Sequence, residues 1–352
     1  MKTEIIQINS QAPEKAKIEQ AAGVIKKGGL VVIPTETVYG IAANMLNKKT
    51  IQRLCEVKKR PKDKPFTLHI GAKEEVEKYT TGILPFAYRL MDKFWPGPIT
   101  MVFHTKEHNS IGIRMPDHKV ALAIIKEAGV PVVCPSANIS GNLAPSTAQE
   151  ALYQLEGLVD LVVDSGKTPL GMGSTIIDAT QLPVKFLRTG ALAKEAIEQV
   201  ENKKVILFVC TGNSCRSVMA QALLEKKLAD ANRKDVEVLS AGTMMMEGLA
   251  PTEATRQLLE KEGIDVSKHR SQGINENILN CSDLILVMEK AHEERILQLA
   301  PQVKNRLFLL KEFAKIDDTD LSLADPIGRP MEFYVQTYRL IKDAIERIVG
   351  II

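Results

Sequence analysis

Val205-Ile206-Leu207-Phe208-Val209-Cys210-Thr211-Gly212-Asn213-Ser214-Cys215-Arg216-Ser217 is the stretch on which the reading of the second half of the chain turns. An uncharged apolar run ends in Cys210, the composition of a strand buried on both faces. A short polar turn follows, and residues 218–228 then space their apolar side chains as a helix does. A strand, a tight loop and a helix N-terminus in this order turn backbone N–H groups inward around a phosphate-sized oxyanion. Arg216 stands where a guanidinium can grip two of its oxygens. The same positive field lowers a thiol at Cys210 from its usual pKa of about 8.5, so a thiolate is available near neutral pH. Ser217 is placed to donate a hydrogen bond to it. Cys210 alone would read as a small buried strand residue. With Arg216, Ser217 and the strand–loop–helix setting it reads as a nucleophile.

Downstream, strand-like runs at 236–240, 284–288 and 306–310 alternate with helical patterns at 253–262 and 292–299, and a last helix covers 331–349. Short strands alternating with helices predict a small doubly wound parallel sheet over residues 203–352. Asp325-Pro326 precedes the last helix, and a leaving group needs an acid of this kind. The C-x5-R-S loop near the start and the D-P near the end resemble the low-molecular-weight protein tyrosine phosphatases, and the resemblance covers residues 203–352. It implies that Cys210 attacks phosphorus to give a phosphocysteine. Thr211, Gly212, Asn213, Ser214 and Cys215 would form the phosphate loop with Arg216 and Ser217. Asp325 would protonate the leaving group and then activate water. The substrate would be a phosphorylated protein.

Two departures bear on that substrate. No tyrosine follows Asp325-Pro326 until Tyr334, and Ser214 stands where tyrosine phosphatases carry an aliphatic residue. A small polar residue there resembles the bacterial protein arginine phosphatases of the same family. Arsenate reductases share the fold and are the alternative. They relay a disulfide through two further cysteines, but seven residues after Cys281 the chain has Met288. Cys215 is either loop packing or the partner of Cys210 in a reversible disulfide.

Upstream of residue 200 the pattern is again α/β. A helix is expected over 15–27, ended by Gly28-Gly29, with strands at 30–34, 67–70, 99–103, 131–134, 161–164 and 174–178. Helices fit at 120–128 and 147–155, and a polar helix over 191–202 precedes the second half, so the boundary falls near residue 200. Polar, Gly/Pro-rich clusters interrupt the apolar runs: Pro34-Thr35-Glu36-Thr37-Val38-Tyr39-Gly40, the basic loop from Lys58 to Lys64, Trp95-Pro96-Gly97-Pro98, Arg114-Met115-Pro116, Ser136-Ala137-Asn138, Gly173-Ser174 and Arg188-Thr189-Gly190. They are expected at strand ends, where α/β enzymes build their sites. Lys58, Arg60, Lys62 and Lys64 in one loop suit a triphosphate. No P-loop or dinucleotide fingerprint is present.

The order of these clusters resembles the YrdC-like threonylcarbamoyl-AMP synthases over roughly residues 10–190, on the P-T-E-T-V-Y-G segment, the K-x-R of Lys58 and Arg60, and the S-x-N of Ser136 and Asn138. The resemblance implies a twisted α/β domain that condenses L-threonine, bicarbonate and ATP into threonylcarbamoyl-AMP with release of pyrophosphate. Mg²⁺ would accompany ATP, and the product would feed a tRNA-modifying transferase complex that makes N6-threonylcarbamoyladenosine at position 37. Thr37, His69, Arg114, Cys134 and Ser174 would line the threonine pocket, although no cysteine is required at 134 and packing is its simplest role. Lys58, Arg60, Lys64, Ser110, Ser136, Asn138, Ala144 and Arg188 would lie against ATP. The second domain differs from the one that long family members carry. A non-catalytic RNA-binding module, gripping backbone phosphates through the basic loop, is the other reading of this half.

Composition fits about two globular domains. The 352 residues exceed what one ordinary core needs. Residues 1–200 carry 25 basic and 20 acidic side chains, residues 201–352 carry 21 and 23, and the overall net charge of +3 implies no polyanion partner by itself. The first ten residues do not read as a signal peptide, and no apolar run reaches membrane length. Cys55, Cys134, Cys210, Cys215 and Cys281 are scattered and form no C-x-x-C, so neither a disulfide framework nor a structural metal site is expected. A reducing cytoplasm is the expected compartment.

Overall fold

A computed structural model describes residues 2–61, 65–244 and 247–352. The chain divides into two compact units, Met1–Val200 and Glu201–Ile352.

The first unit is built on one mixed sheet. Its strands are β1 (Glu4–Gln7), β2 (Val31–Ile33), β3 (Gly40–Asn44), β4 (Leu68–His69), β5 (Ile99–His104), β6 (Ser110–Arg114), β7 (Val132–Val133), β8 (Leu161–Asp164), β9 (Thr175–Asp178) and β10 (Lys185–Arg188). They lie in the order β1-β8-β2-β3-β7-β4-β6-β5-β9-β10. Strands β1, β3, β6 and β10 answer to none of the runs expected from hydrophobicity. Gly40–Asn44 is rich in glycine and alanine, and Ser110–Arg114 begins polar, so neither carries the aliphatic signature of a strand. Antiparallel pairing to better-marked neighbours, β3 to β2 and β6 to β5, holds them in the sheet.

Helices Lys15–Lys26 and Lys119–Ala128 bury Ile18, Ile25, Val120 and Ile124 with Val31 and Ile33 of β2. Helix Pro85–Phe94 buries Phe86, Leu90 and Met91 with Met101, Ile113 and Ile177 of β5, β6 and β9. This leaves the opposite face of β5, β6 and β9 free to form a floor, because side chains two apart point the same way.

The second unit is a four-stranded parallel sheet in the order β12-β11-β13-β14, with β11 (Lys204–Cys210), β12 (Val236–Gly242), β13 (Leu284–Val287) and β14 (Leu307–Leu309). Ile206, Phe208 and Cys210 pack toward helices Arg216–Asp230 and Met331–Ile348. Leu207 and Val209 pack toward helix Lys290–Leu299 on the other side. Burial on both faces is why β11 reads as an unbroken apolar run.

Candidate functional site

In the first unit a cleft of about 520 Å³ opens over the free face of the sheet. Thr100 and Val102 of β5, Gly112 and Arg114 of β6, and Ile176 of β9 form its floor. The polar clusters were expected at strand ends, and some do reach in from there. The cleft nonetheless spreads across the sheet face, because β5 and β6 each supply residues two apart and β9 adds Ile176.

Of the residues singled out from sequence, Arg60, His69, Arg114, Cys134, Ser136, Ala144, Ser174 and Arg188 line this cleft. Arg114, buried at the end of β6, lies 2.7 Å from Glu36 Oε1. The pair is close, yet neither Arg114 Nη2 nor the Glu36 oxygens meet hydrogen-bond geometry, so the guanidinium is held by charge and remains able to bond. Arg114 Nε donates to Gly97 O at 3.4 Å, which ties the Trp95-Pro96-Gly97 turn to the same corner. Burial, with Arg114 alongside, pulls His69 down to about 3, so its ring is neutral. Burial pushes the Cys134 thiol up to about 12, leaving it without nucleophilic character at neutral pH. Gly40 is required beside it, since a Cβ there would stand 2.5 Å from Cys134 Sγ. Arg188 donates to Ser174 O at 2.7 Å through Nη2 and to Ser174 Oγ at 3.0 Å, and Ser174 Oγ lies 2.8 Å from Thr100 Oγ1.

Four residues sit otherwise. Lys58 is buried and donates to the carbonyls of Ser136 at 2.5 Å and Asn138 at 2.7 Å, so it braces the Ser136–Asn138 turn from behind. Burial pulls its ammonium down to about 8. Asn138 donates to Ile139 O and Asn142 O and shapes the loop that follows, while its buried Oδ1 has no partner. Thr37 is fully buried 2.9 Å from Thr35 Oγ1, and Ser110 is exposed at the start of β6; neither lines the cleft. Lys64 lies outside the described residues. Glu36 is the residue that motif reading left without a role. An acid directly beside a threonine motif, in a segment too polar for a core, was its signal.

In the second unit the loop after β11 closes as expected. Cys210 Sγ and Ser217 Oγ lie 3.0 Å apart. Asn213 adopts the left-handed region, at φ 51, and its Nδ2 donates to Ser217 Oγ at 3.0 Å and Ser240 Oγ at 2.8 Å. Gly242 closes β12 against this loop, where a Cβ would meet Thr211 O at 2.7 Å. Cys215 is the N-cap residue of helix Arg216–Asp230 and gives it no side-chain cap, which leaves the first amides to an anion. Burial pushes the Cys215 thiol up to about 12, so it is not a second thiolate. Gly212 and Ser214 complete the loop, with Ser214 Oγ 3.6 Å from where a Gly212 Cβ would stand.

Arg216 is 1% exposed, and both terminal nitrogens are engaged while its buried Nε has no partner. Nη1 donates to Leu323 O at 2.6 Å and faces Glu289 Oε2 at 3.2 Å. Nη2 donates to Asp325 Oδ2 at 2.5 Å and Thr211 Oγ1 at 3.0 Å. His292 Nε2 stands 3.0 Å from Thr211 Oγ1, and burial beside Arg216 pulls it down to about 4. Sequence reasoning missed Glu289 and His292. Their signal was position: Glu289 comes two residues after the C-terminal end of β13, where parallel sheets place functional groups. Tyr334 is 7% exposed, and burial, with the Asp325 charge behind it, pushes its phenol up. Cys281 ends helix Glu276–Cys281, and Met288 is fully buried, so nothing in this arrangement completes a cysteine relay. Among the described residues no three His, Cys, Asp or Glu groups are placed to hold a metal, and no helix is long and apolar enough to cross a membrane. All five cysteines are free thiols.

The first unit thus holds a cleft lined by arginines, and the second a cysteine-bearing loop at a helix N-terminus. Residues 23–190 match the Sua5/YciO/YrdC family model, described as telomere recombination, and residues 205–350 match the low molecular weight phosphotyrosine protein phosphatase model. A threonylcarbamoyl-AMP synthase of Pyrococcus abyssi is 34% identical over 269 residues, 74% of this chain and 75% of that protein. A protein-arginine-phosphatase of Geobacillus stearothermophilus is 38% identical over 144 residues, 41% of this chain and 90% of that protein. The crystal structure of P. abyssi Sua5 complexed with L-threonine superposes with a TM-score of 0.55 at 26% identity, covering 87% of this chain and 99% of that one. The chain belongs to the Sua5/YrdC family of threonylcarbamoyl-AMP synthases through its first unit and to the low-molecular-weight phosphatase family through its second.

Proposed function

We propose that the chain is a bifunctional enzyme whose first unit makes threonylcarbamoyl-AMP from L-threonine, bicarbonate and Mg·ATP. The observation that carries this is a cleft holding Arg60, Arg114 and Arg188 around a neutral His69, with no ionised thiol. Arg114 takes the threonine carboxylate, exchanging Glu36 for it. Arg60 and Arg188, on the same cleft, meet the triphosphate. The carbamate oxygen then attacks the α-phosphorus, the bond to pyrophosphate breaks, and the arginines stabilise the charge that leaves. Mg²⁺ enters with the nucleotide as substrate; among the described residues no carboxylate lines the cleft. A transferase acting on tRNA consumes the product, and the free cysteines fit a cytoplasmic enzyme. Purified protein should release pyrophosphate only when threonine, bicarbonate and Mg·ATP are all present, and Arg60→Ala should remove most of that release. Turnover of equal rate without threonine would refute the reading.

For the second unit we infer a phosphoprotein phosphatase that prefers phosphoarginine. The carrying observation is Cys210 beside Ser217 at an uncapped helix N-terminus, with Ser214 in the loop. The thiolate attacks phosphorus, an S–P bond forms, the P–N bond breaks, and Asp325 gives its proton to the departing nitrogen. Water then attacks the phosphocysteine, Asp325 takes its proton, and the thiolate returns with inorganic phosphate released. Comparing kcat/KM on phosphoarginine and phosphotyrosine peptides of one sequence tests the preference. A higher value for phosphotyrosine would overturn it.

A further inference from the structure

Arg216 meets four acceptors, and two of them are neutral. Leu323 O and Thr211 Oγ1 can stay in place when a phosphate arrives, whereas the Asp325 and Glu289 carboxylates compete with it for the same guanidinium. Asp325 has an occupation in either event, because its acid form donates to the leaving group. Glu289 has none in the steps described above. Its side chain is 29% exposed, it faces Nη1 of a guanidinium that is itself 1% exposed, and His292 Nε2 lies 3.5 Å from the same carboxylate oxygen. His292 is pulled down to about 4 and is therefore neutral, so it cannot offset the charge of Glu289.

We propose that Glu289 is a specificity-determining residue of the phosphatase site, whose carboxylate leaves Arg216 when phosphate binds and takes the N–H groups of a phosphoguanidinium. This rests on the phosphoarginine reading above and adds the residue that enforces it. A phosphoguanidinium carries cationic N–H donors two bonds beyond the nitrogen attached to phosphorus, across the central carbon. A carboxylate flanking the loop is at the right remove to accept them, and such charge-assisted bonds are the strong ones. A phosphotyrosine brings a dianion and a ring edge, and leaves Glu289 facing negative charge with no donor. The phosphoryl charge is common to both substrates, so Glu289 discriminates by the cationic donors that only the phosphoguanidinium brings to offset it.

The test uses the full-length protein and phosphoarginine and phosphotyrosine peptides of identical sequence. Glu289→Gln keeps shape and removes charge. It is expected to lower the phosphoarginine-to-phosphotyrosine ratio of kcat/KM by about tenfold or more, as loss of a charge-assisted bond does. Glu289→Asp keeps the charge and is expected to hold an intermediate ratio. If Glu289 only aims Arg216, both substrates fall together and the ratio does not move, which overturns the proposal. The two readings fail differently. A wild-type preference for phosphotyrosine removes the substrate assignment, whereas a wild-type preference for phosphoarginine that Glu289→Gln leaves intact removes the role of Glu289 alone.

Discussion

The cleft of the first unit and the phosphate loop of the second solve the handling of phosphate with opposite economies of sequence. The cleft gathers Arg60, His69, Arg114, Ser136, Ser174 and Arg188 from separate segments, and second-line residues hold them: Glu36 against Arg114, Lys58 behind Ser136. The loop packs nucleophile, amides and guanidinium into Cys210–Arg216, and Asp325, Glu289, His292 and the Leu323 carbonyl come from afar. The difference follows from the chemistry. Joining three substrates is a matter of placement and charge, which tolerates groups on many elements. Covalent attack needs one thiolate at a fixed distance from its anion field, which a single strand–loop–helix can supply.

The largest expected effect breaks the comparison outright if it fails. Cys210→Ser should lower phosphatase kcat by about a thousandfold or more, because a hydroxyl lacks the accessible anion on which the step depends. Pyrophosphate release by the same protein should stay within about twofold of wild type. Loss of both activities in a protein that still melts cooperatively would show that the two sites are coupled.

A smaller effect concerns what holds the cleft. Glu36 and Arg114 are each under a tenth exposed, and removing one partner of a buried pair typically costs about 3–5 kcal/mol. Glu36→Ala should therefore destabilise the first unit by roughly that amount, with the second unit's transition unmoved in calorimetry. The same variant should raise KM for threonine more than it lowers kcat. A threonine KM unchanged in Glu36→Ala would show that Arg114 needs no carboxylate to stay in place.

Acid acts on both units, because burial lowers His69 and His118 in the first and His292 in the second. Burial holds His69 near 3 and His292 near 4, below the usual value for histidine of about 6.5. A depressed folded-state pKa means that the unfolded chain binds more protons below about 6.5, so stability is complete above that pH and falls as pH drops toward the folded values. The loss in each unit is on the order of 3–5 kcal/mol by pH 4 to 3. Melting temperatures measured between pH 7 and 4 should fall for both transitions, and His292→Gln should flatten the curve of the second alone.

Much of this was legible in the sequence, and what was not has physical causes. The loop 205–217 could be read because all its chemistry is local. The expected strands at 161–164 and 284–288 lie where Leu161–Asp164 and Leu284–Val287 form, because aliphatic runs mark buried strands. Strands β3 and β6 escaped because pairing, not composition, makes them strands. The role of Lys58 behind the Ser136 turn could not be read, since a lysine aimed at ligand and one aimed at carbonyls across 78 residues look alike in sequence. Glu289 and His292 join Arg216 only through the sheet, which no spacing rule encodes.

The smallest effect tests the side chain of Ser214 in the loop. Ser214 is 8% exposed, and its backbone carbonyl accepts from Thr252 N at 2.9 Å, so the residue is fixed in position and its side chain is the variable part. Tyrosine phosphate is held by packing its ring against apolar walls. Here Tyr334 is largely buried, and Phe333, exposed, carries Arg329 stacked 5.0 Å from its ring centroid. A phosphoguanidinium instead brings N–H donors close to phosphorus, and a hydroxyl at 214 can accept one. An isoleucine would fill that space and leave the donor unpaired, at about 1–3 kcal/mol, roughly five- to a hundredfold in rate if felt in the transition state. Ser214→Ile should therefore lower kcat/KM for a phosphoarginine peptide by that factor, and raise it for phosphotyrosine by adding apolar contact. Ser214→Thr, which keeps the hydroxyl, should retain the phosphoarginine preference. Equal kinetics for Ser214→Ile and Ser214→Thr on both peptides would show that the hydroxyl plays no part, and would leave discrimination to the carboxylates around Arg216.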